Sequence, residues 1–383
     1  LPEYKYPALK TPHQIHISLG SNIGNRLSFL QNAVHEIYKR IGDVTSTSSV
    51  YQTPAWGFNS DDFYNACICI HTIFPSEKVL NFLLEIENDL GRNRTEGNGY
   101  EARTIDLDII FSSEGNLSTA ALKVPHPAMQ DRKFVLEPLA EIAGNIMHPT
   151  LKKTVEQLLR ETSDDSQVTL VQDKIINPKD RYALSRFQYL TIEGNIGAGK
   201  TSLAQLIARE FNAKLILERF ADNPFLPKFY EDMERYAFPL EMSFLADRYQ
   251  RLQDDIAQFD LFKDFVVSDY DVFKSLIFAK VTLQSEEFKL YKKVFDLMYR
   301  NLAKPGLYVY LYQNTERLLE NIKKRGRDYE QKIPPEYLDK INKGYLQFIK
   351  SQPEFNVRVV DVSERDFVAN RSDYISILDE ISK

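Results

Sequence analysis

The chain has 383 residues, 44.4 kDa, 43% hydrophobic and 27% charged side chains, an ordinary globular composition that is too long for one typical domain, so two are expected. Its net charge of −6 argues against a general nucleic-acid binder, which needs a basic face for phosphates, but leaves room for local basic pockets. No run reaches the ~18 apolar residues of a membrane helix, and the first residues, LPEYKYPALKTPHQ, lack a signal-peptide core.

A reducing cytoplasm is the expected setting, with a natural start upstream because no initiator Met is present. Cys67 and Cys69 are the two cysteines; at i and i+2 of one strand they share a face, which disfavours a disulfide and predicts buried thiols.

In chain order, His13–Leu19 alternates as a strand, and Gly20–Arg26 turns into a helix that runs to about Arg40, capped by Asn25. Val44–Gln52 reads as a second strand, followed by Thr53-Pro54-Ala55-Trp56-Gly57, and Phe63-Tyr64-Asn65 leads into a third. Helix Ser76–Leu90 stops at Gly91, and Arg92 and Arg94 follow in a polar loop that reaches Glu101. Ala102–Phe111 (ARTIDLDIIF) then reads as a strand with Asp106 and Asp108 on one face and Ile105, Leu107 and Ile109 on the other. Two carboxylates with Cα atoms roughly 6.5 Å apart are costly on a half-buried face unless a hard cation such as Mg²⁺, shared with phosphate oxygens, neutralises them. Alone, the pair is equally a solvated strand face. A basic loop feeding a di-acid strand is, however, what a phosphate-transfer site needs.

The stretches SLGSNIGNR, VYQTPAWG, FYNACI, IENDLGRNR, ARTIDLDII, VPHPAMQDRKFVLEPLAEIA and MHP, in this order, resemble 6-hydroxymethyl-7,8-dihydropterin pyrophosphokinases. The resemblance implies a ferredoxin-like α+β fold over residues 1–162 and transfer of the β,γ-diphosphate of ATP to the pterin hydroxymethyl group, releasing AMP. By position it assigns two Mg²⁺ ions to Asp106 and Asp108, the transferring diphosphate to Arg92 and Arg103, and ATP to His126 and Arg132. Phe63 and Phe134 would sandwich the pterin, Asn65 would read its amide edge, and Thr53, Pro54 and Ala55 would line the pocket. Related bacterial chains often carry Trp-Gly-Pro where this one has Tyr100-Glu101-Ala102, which leaves the closing of that loop open.

Residues 163–186 hold Ser163-Asp164-Asp165-Ser166 and Asn177-Pro178-Lys179-Asp180, polar and proline-bearing clusters that read as a linker, with a short apolar run at Val168–Val171. From Phe187 a strand runs into GNIGAGKT, Gly194–Thr201, and then a helix from Ser202 to Phe211. This is a phosphate loop in its proper context: Gly194, Asn195, Ile196, Gly197, Ala198 and Gly199 wrap the phosphates, Lys200 reaches them, and Thr201 offers its hydroxyl to Mg²⁺. Strands near Lys214–Leu217, Phe265–Ser268, Gly306–Leu311 and Val357–Asp361, with helices between, predict an α/β P-loop NTPase-like domain with a parallel sheet over 187–383.

GNIGAGKTSL, LERFADNPFLPKFYED, FLADRYQ and RGRDYE together resemble deoxynucleoside kinases. The resemblance implies that Glu218 takes the 5′-hydroxyl proton, Arg325 and Arg327 cover the ATP phosphates, Glu330 holds the sugar, and Asp269 helps hold Mg²⁺. It also implies ATP as co-substrate in both halves and a homodimer through the second, with small-molecule substrates and no nucleic acid or membrane partner. Two departures stand out. Asp269-Tyr270-Asp271 lacks the arginine usual after the acid, and Glu241 aligns where a base-pairing Gln is usual. Phe238, Phe244 and Phe273 are available to line a base pocket or a core. A bifunctional transferase is the leading reading; the alternatives for the second half are a non-catalytic nucleotide-binding module, a nucleoside monophosphate kinase or a plain ATPase.

Overall fold

A computed structural model describes residues 10–56, 58, 60–92, 101–219, 223–258, 260–300, 302–327 and 330–383. Arg94 and Tyr100, on which the expectation of a closing basic loop rests, lie outside them. The chain divides into two compact units, Leu9–Arg181 and Tyr182–Lys383, each described by itself.

The first unit runs β1 (His13–Ser21), α1 (Arg26–Arg40), β2 (Asp43–Thr47), β3 (Tyr51–Thr53), β4 (Phe63–Thr72), α2 (Ser76–Asp89), β5 (Asp106–Ser112), β6 (Leu117–Ser118), β7 (Lys123–Val124), α3 (Lys133–Ala143), α4 (Val155–Glu161) and β8 (Thr169–Leu170). Its antiparallel sheet has the order β5-β1-β4-β3-β8, with β2 also on β4, which is the ferredoxin-like arrangement of an α+β fold. Asn25 caps α1 by accepting from the Ser28 N–H, as its sequence position predicts. Cys67 and Cys69 are buried free thiols.

Three boundaries differ from the sequence reading. The single strand expected over 44–52 is broken into β2 and β3, because the Ser48 hydroxyl takes the Cys67 N–H at 2.9 Å and Ser48 N–H turns to the Cys67 carbonyl. The strand carrying the di-acid pair begins only at Asp106. Residue 103 is held elsewhere: its N–H meets Asn22 Oδ1 at 2.7 Å and its carbonyl accepts the Asn22 N–H at 3.1 Å. Finally, the stretch expected to be a linker over 163–186 is divided between the units. Thr169 and Leu170 pair with Gln52 and Tyr51, Asp164 accepts the Lys133 N–H at 2.8 Å, and Asn177 donates to the Val44 carbonyl at 2.7 Å. Polar side chains that read as solvent-loving in sequence are here spent on backbone groups.

The second unit runs β9 (Tyr189–Gly194), α5 (Lys200–Glu210), β10 (Lys214–Ile216), α6 (Leu226–Glu231), α7 (Met233–Ala257), β11 (Val266–Ser268), α8 (Phe273–Thr282), α9 (Ser285–Tyr299), β12 (Leu307–Tyr312), α10 (Thr315–Arg325), α11 (Pro335–Ser351), β13 (Val357–Asp361) and α12 (Arg371–Ile381). Five parallel strands lie in the order β10-β11-β9-β12-β13. All of β9 is buried, as a central parallel strand covered on both faces must be. Crossing from β9 to either neighbour reverses the direction of winding, so the carboxyl end of β9 is where a ligand crevice opens. Phe273 belongs to the apolar core, its ring tilted against those of Phe295, Tyr299 and Phe348, and Phe238 packs against that core.

Candidate active sites

In the first unit a cavity opens at the end of β5 and β1. Ser18, Gly20, Thr53, Pro54, Trp56, Phe58, Phe63, Asn65, Arg103, Asp106, Asp108, Arg132 and Phe134 line it, so most residues singled out in sequence converge there. Gly20 keeps the floor low, since a Cβ at this position would lie 3.1 Å from Asn65 Oδ1. Asn65 is oriented by donating to Thr53 Oγ1 at 2.8 Å. Phe63 and Phe134 both face the cavity, and the Arg132 guanidinium lies 5.4 Å from the Trp56 ring and 5.8 Å from that of Phe134. Ala55 follows Pro54, half-buried.

The charges are arranged in pairs. Asp106 accepts from Arg92 at 2.7 Å through Oδ1 and from Arg103 at 2.7 Å through Oδ2. Asp108 is deeper; burial, and then the neighbouring Asp106, push its carboxyl up to about 7. A site whose inner acid is strained toward neutrality has the charge deficit that a divalent cation corrects. Among the described residues no cluster of three or more His, Cys, Asp or Glu ligands exists. A cation held by these two carboxylates would therefore draw the rest of its shell from phosphate and water, which fits Mg²⁺ better than a closed protein cage. His126 is neutral: burial, then Arg132, lower it to about 4, and its Nδ1 accepts the Ala128 N–H at 3.3 Å.

One residue here escapes sequence reasoning. Glu87, 1% exposed, accepts the Leu107 N–H at 2.8 Å and also pairs with Arg92, so it fixes both the di-acid strand and the arginine beside it. Its signal was available: it continues the buried stripe Val79, Leu83, Ile86 of α2, a charge on an apolar helix face.

In the second unit the phosphate loop joins β9 to α5. Gly194, Gly197 and Gly199 have φ of +154°, +85° and +88°, and a Cβ on Gly199 would lie 2.7 Å from the Phe367 ring. Lys200 Nζ donates to the Asn195 carbonyl at 2.8 Å, across its own loop, while the Asn195 side chain anchors to Leu338 and Asn342 of α11. Burial, then the charge of Lys274, lower Lys200 to about 8. Thr201 donates its hydroxyl to Asp269, bringing together the two groups expected to hold a cation.

Beyond the loop, Ile196, Gly197, Lys200, Thr201, Glu218, Glu241, Phe244, Asp269, Arg325, Arg327 and Glu330 share one cavity with Phe229, Tyr230, Arg248, Lys274 and Tyr337. Glu218, two residues past β10, is held by Arg248 at 2.7 Å and by Lys274 at 2.5 Å. Burial alone would raise its carboxyl, but Lys274 and then Arg248 outweigh it and hold it at about 2, so the carboxylate is ionised, and a weak base as long as both cations lie on it. Glu330 pairs with both Arg325 and Arg327 rather than standing apart for a sugar. Tyr270, where an arginine is usual, is fully buried in the core and offers nothing to the cavity. Arg248 and Lys274 were missed in sequence; Glu241 and Arg248 sit seven residues apart on the buried stripe of α7 with Leu245 and Leu252, again charges on an apolar face.

A di-acid pocket gripped by arginines and a glycine phosphate loop facing a buried carboxylate define a phosphotransferase with two separate active units. The comparisons with known proteins agree. The sequence pattern of the family described as 7,8-dihydro-6-hydroxymethylpterin-pyrophosphokinase matches residues 16–144, and that described as deoxynucleoside kinase matches residues 190–383. A 2-amino-4-hydroxy-6-hydroxymethyldihydropteridine pyrophosphokinase of Synechocystis is 41% identical over 39% of this chain and 78% of its own length. A deoxyguanosine kinase of Bacillus subtilis is 40% identical over 49% of this chain and 92% of its own. A solved structure of deoxyadenosine kinase from M. mycoides is 26% identical with a TM-score of 0.44, covering 50% of this chain and 97% of that one. The chain belongs to both families, the pterin pyrophosphokinases through its first unit and the deoxynucleoside kinases through its second. It is a bifunctional, ATP-using transferase that passes diphosphate to 6-hydroxymethyl-7,8-dihydropterin for folate synthesis and phosphate to the 5′-hydroxyl of a deoxynucleoside. No helix among the described residues is long and apolar enough to cross a membrane.

Proposed function

We propose that Asp106 and Asp108 hold Mg²⁺ with the ATP phosphates in the first unit, while Arg92 and Arg103 leave Asp106 to neutralise the transferring diphosphate. Phe63 and Phe134 take the two faces of the pterin, Asn65, Thr53, Pro54 and Ala55 its edge, and Arg132 with His126 the nucleotide. The chemistry supports this: diphosphate transfer needs charge neutralisation and alignment rather than a covalent intermediate. In the second unit Gly194–Thr201 bind the ATP phosphates, Thr201 and Asp269 hold Mg²⁺, Glu218 accepts the 5′-hydroxyl proton, and Arg325 and Arg327 transfer from Glu330 to the phosphates. The free thiols of Cys67 and Cys69 favour a reducing, cytoplasmic setting. Exposed Leu290 and Leu297, seven residues apart on α9, favour a homodimer through this unit.

The preferred nucleoside is deoxyguanosine. The observation that carries this is Glu241: 2% exposed, lining the cavity, with Oε2 unpartnered among the described residues and Arg248 near enough to bias its charge. An ionised carboxylate accepts two hydrogen bonds, which matches the N1–H and 2-amino group of guanine, while Arg248 has donors to spare for an acceptor such as O6. The Bacillus relative, named a deoxyguanosine kinase, favours the same choice. A panel of the four deoxynucleosides with ATP and Mg²⁺ tests it: deoxyguanosine should give the highest kcat/KM. Preference for a pyrimidine would overturn the base assignment, and no product with any of them would overturn the kinase site.

A further inference from the structure

Glu218 is shared by two cations that enter from different helices and are held very differently. Arg248 of α7 meets Oε1 through Nε at 2.8 Å and Nη2 at 2.7 Å, and places Nη1 on Ser275 Oγ at 2.6 Å. A planar fork bound along three bonds is fixed. Lys274 of α8 has one acceptor for its ammonium among the described residues, Glu218 Oε2 at 2.5 Å, and otherwise lies 5.6 Å from the Phe278 ring. It is 7% exposed, yet it opens on the same cavity as Lys200, Thr201, Asp269 and Arg325. A point charge on a four-carbon stem with a single acceptor changes partner by rotating its own torsions. Arg248 cannot do so without breaking all three bonds.

The Asp269-Tyr270-Asp271 segment lacks an arginine, and with Tyr270 fully buried no cation can act from that position. The charge arrives instead one helical turn later, from the second residue of α8.

We propose that Lys274 is the mobile cation of the kinase site: it neutralises Glu218 while the cavity is empty and moves to the oxygens of the γ-phosphoryl group of ATP during transfer. This rests on the reading of Glu218 as the base. In that step the 5′-oxygen bonds to the γ-phosphorus, the bond from phosphorus to the β,γ-bridging oxygen breaks, the hydroxyl proton passes to Glu218, and ADP leaves with the electron pair. Departure of Lys274 removes its hydrogen bond from Oε2, raising the basicity of Glu218 for the incoming proton, and brings positive charge to the phosphoryl oxygens. One side-chain movement serves both ends of the reaction.

The test compares K274M, K274Q and K274R in the full chain, with deoxyguanosine and Mg·ATP as substrates. K274Q keeps a donor for Oε2 without charge, and so separates holding Glu218 from supplying charge even if K274M fails to fold. Expected are a kcat lowered at least ~100-fold in K274Q, a KM for ATP within about threefold of wild type, and recovery of about tenfold in K274R relative to K274Q. A K274Q kcat within about fivefold of wild type, or K274R no better than K274Q, overturns the proposal. An E218Q variant with near wild-type kcat would instead sink the base assignment and the proposal with it, whereas a wild-type chain that yields no nucleoside phosphate with any of the four deoxynucleosides would sink the kinase reading itself.

Discussion

Glu241 shows how much one buried carboxyl can decide. Burial pushes it up to about 7, against the pull of Arg248 and Lys274 and with the help of Glu218. A carboxyl raised in this way is neutral below its pKa and ionised above it. In the proposed base site the ionised form would accept from guanine; the protonated form would donate, and so suit an adenine ring nitrogen. The ratio of kcat/KM for deoxyguanosine over deoxyadenosine should therefore fall as pH drops from 8 to 6, by about tenfold per unit. E241Q, which cannot ionise, should flatten that dependence; a wild-type ratio that ignores pH would remove Glu241 from base recognition. Asp106, Asp108 and Lys200 were legible in sequence because their meaning lies within ten residues of chain. Glu87, Arg248 and Lys274 were not, because each acts on a group 20 to 56 residues away in sequence. Only their position on otherwise apolar helix faces marked them.

At the scale of elements, the β9–α5 turn depends on backbone that side chains resist. Gly199 combines φ of +88° with a Phe367 ring atom 2.7 Å from where a Cβ would stand. Alanine there costs about 1–2 kcal/mol in backbone strain alone, and the ring must also shift, which displaces Lys200 one residue on. G199A is expected to lower nucleoside kcat/KM at least ~100-fold while leaving diphosphate transfer within about twofold, read by assaying both products on one preparation. Equal kcat/KM in G199A and wild type would show that the loop tolerates the change. The three helices given bounds, α1, α2 and α5, and the parallel strands were read from sequence to within a few residues because their apolar runs are long and their glycines well placed. The short edge pieces were not: β2, β3 and β8 owe their limits to hydroxyl and amide side chains bonding to distant backbone, which no local periodicity encodes.

For the whole molecule, two units with separate cores predict separable activities. D108N should abolish diphosphate transfer and leave nucleoside phosphorylation unchanged, and K200A should do the reverse; loss of both activities in either variant would show that the units work as one. Across the chain the same pairing recurs. Arg92 and Arg103 lie on Asp106, and Arg325 and Arg327 lie on Glu330, so each arginine pair proposed to bind phosphate already has a partner within the chain. Capture of a ligand is then an exchange and not an addition. Orthophosphate, chloride and other ambient anions must outcompete a carboxylate tethered in place, and a lone small ion brings too few contacts to do so. A metal-laden polyphosphate engages several points at once and can. On the proposed roles, selectivity for the co-substrate would be exercised before any pterin or sugar is read.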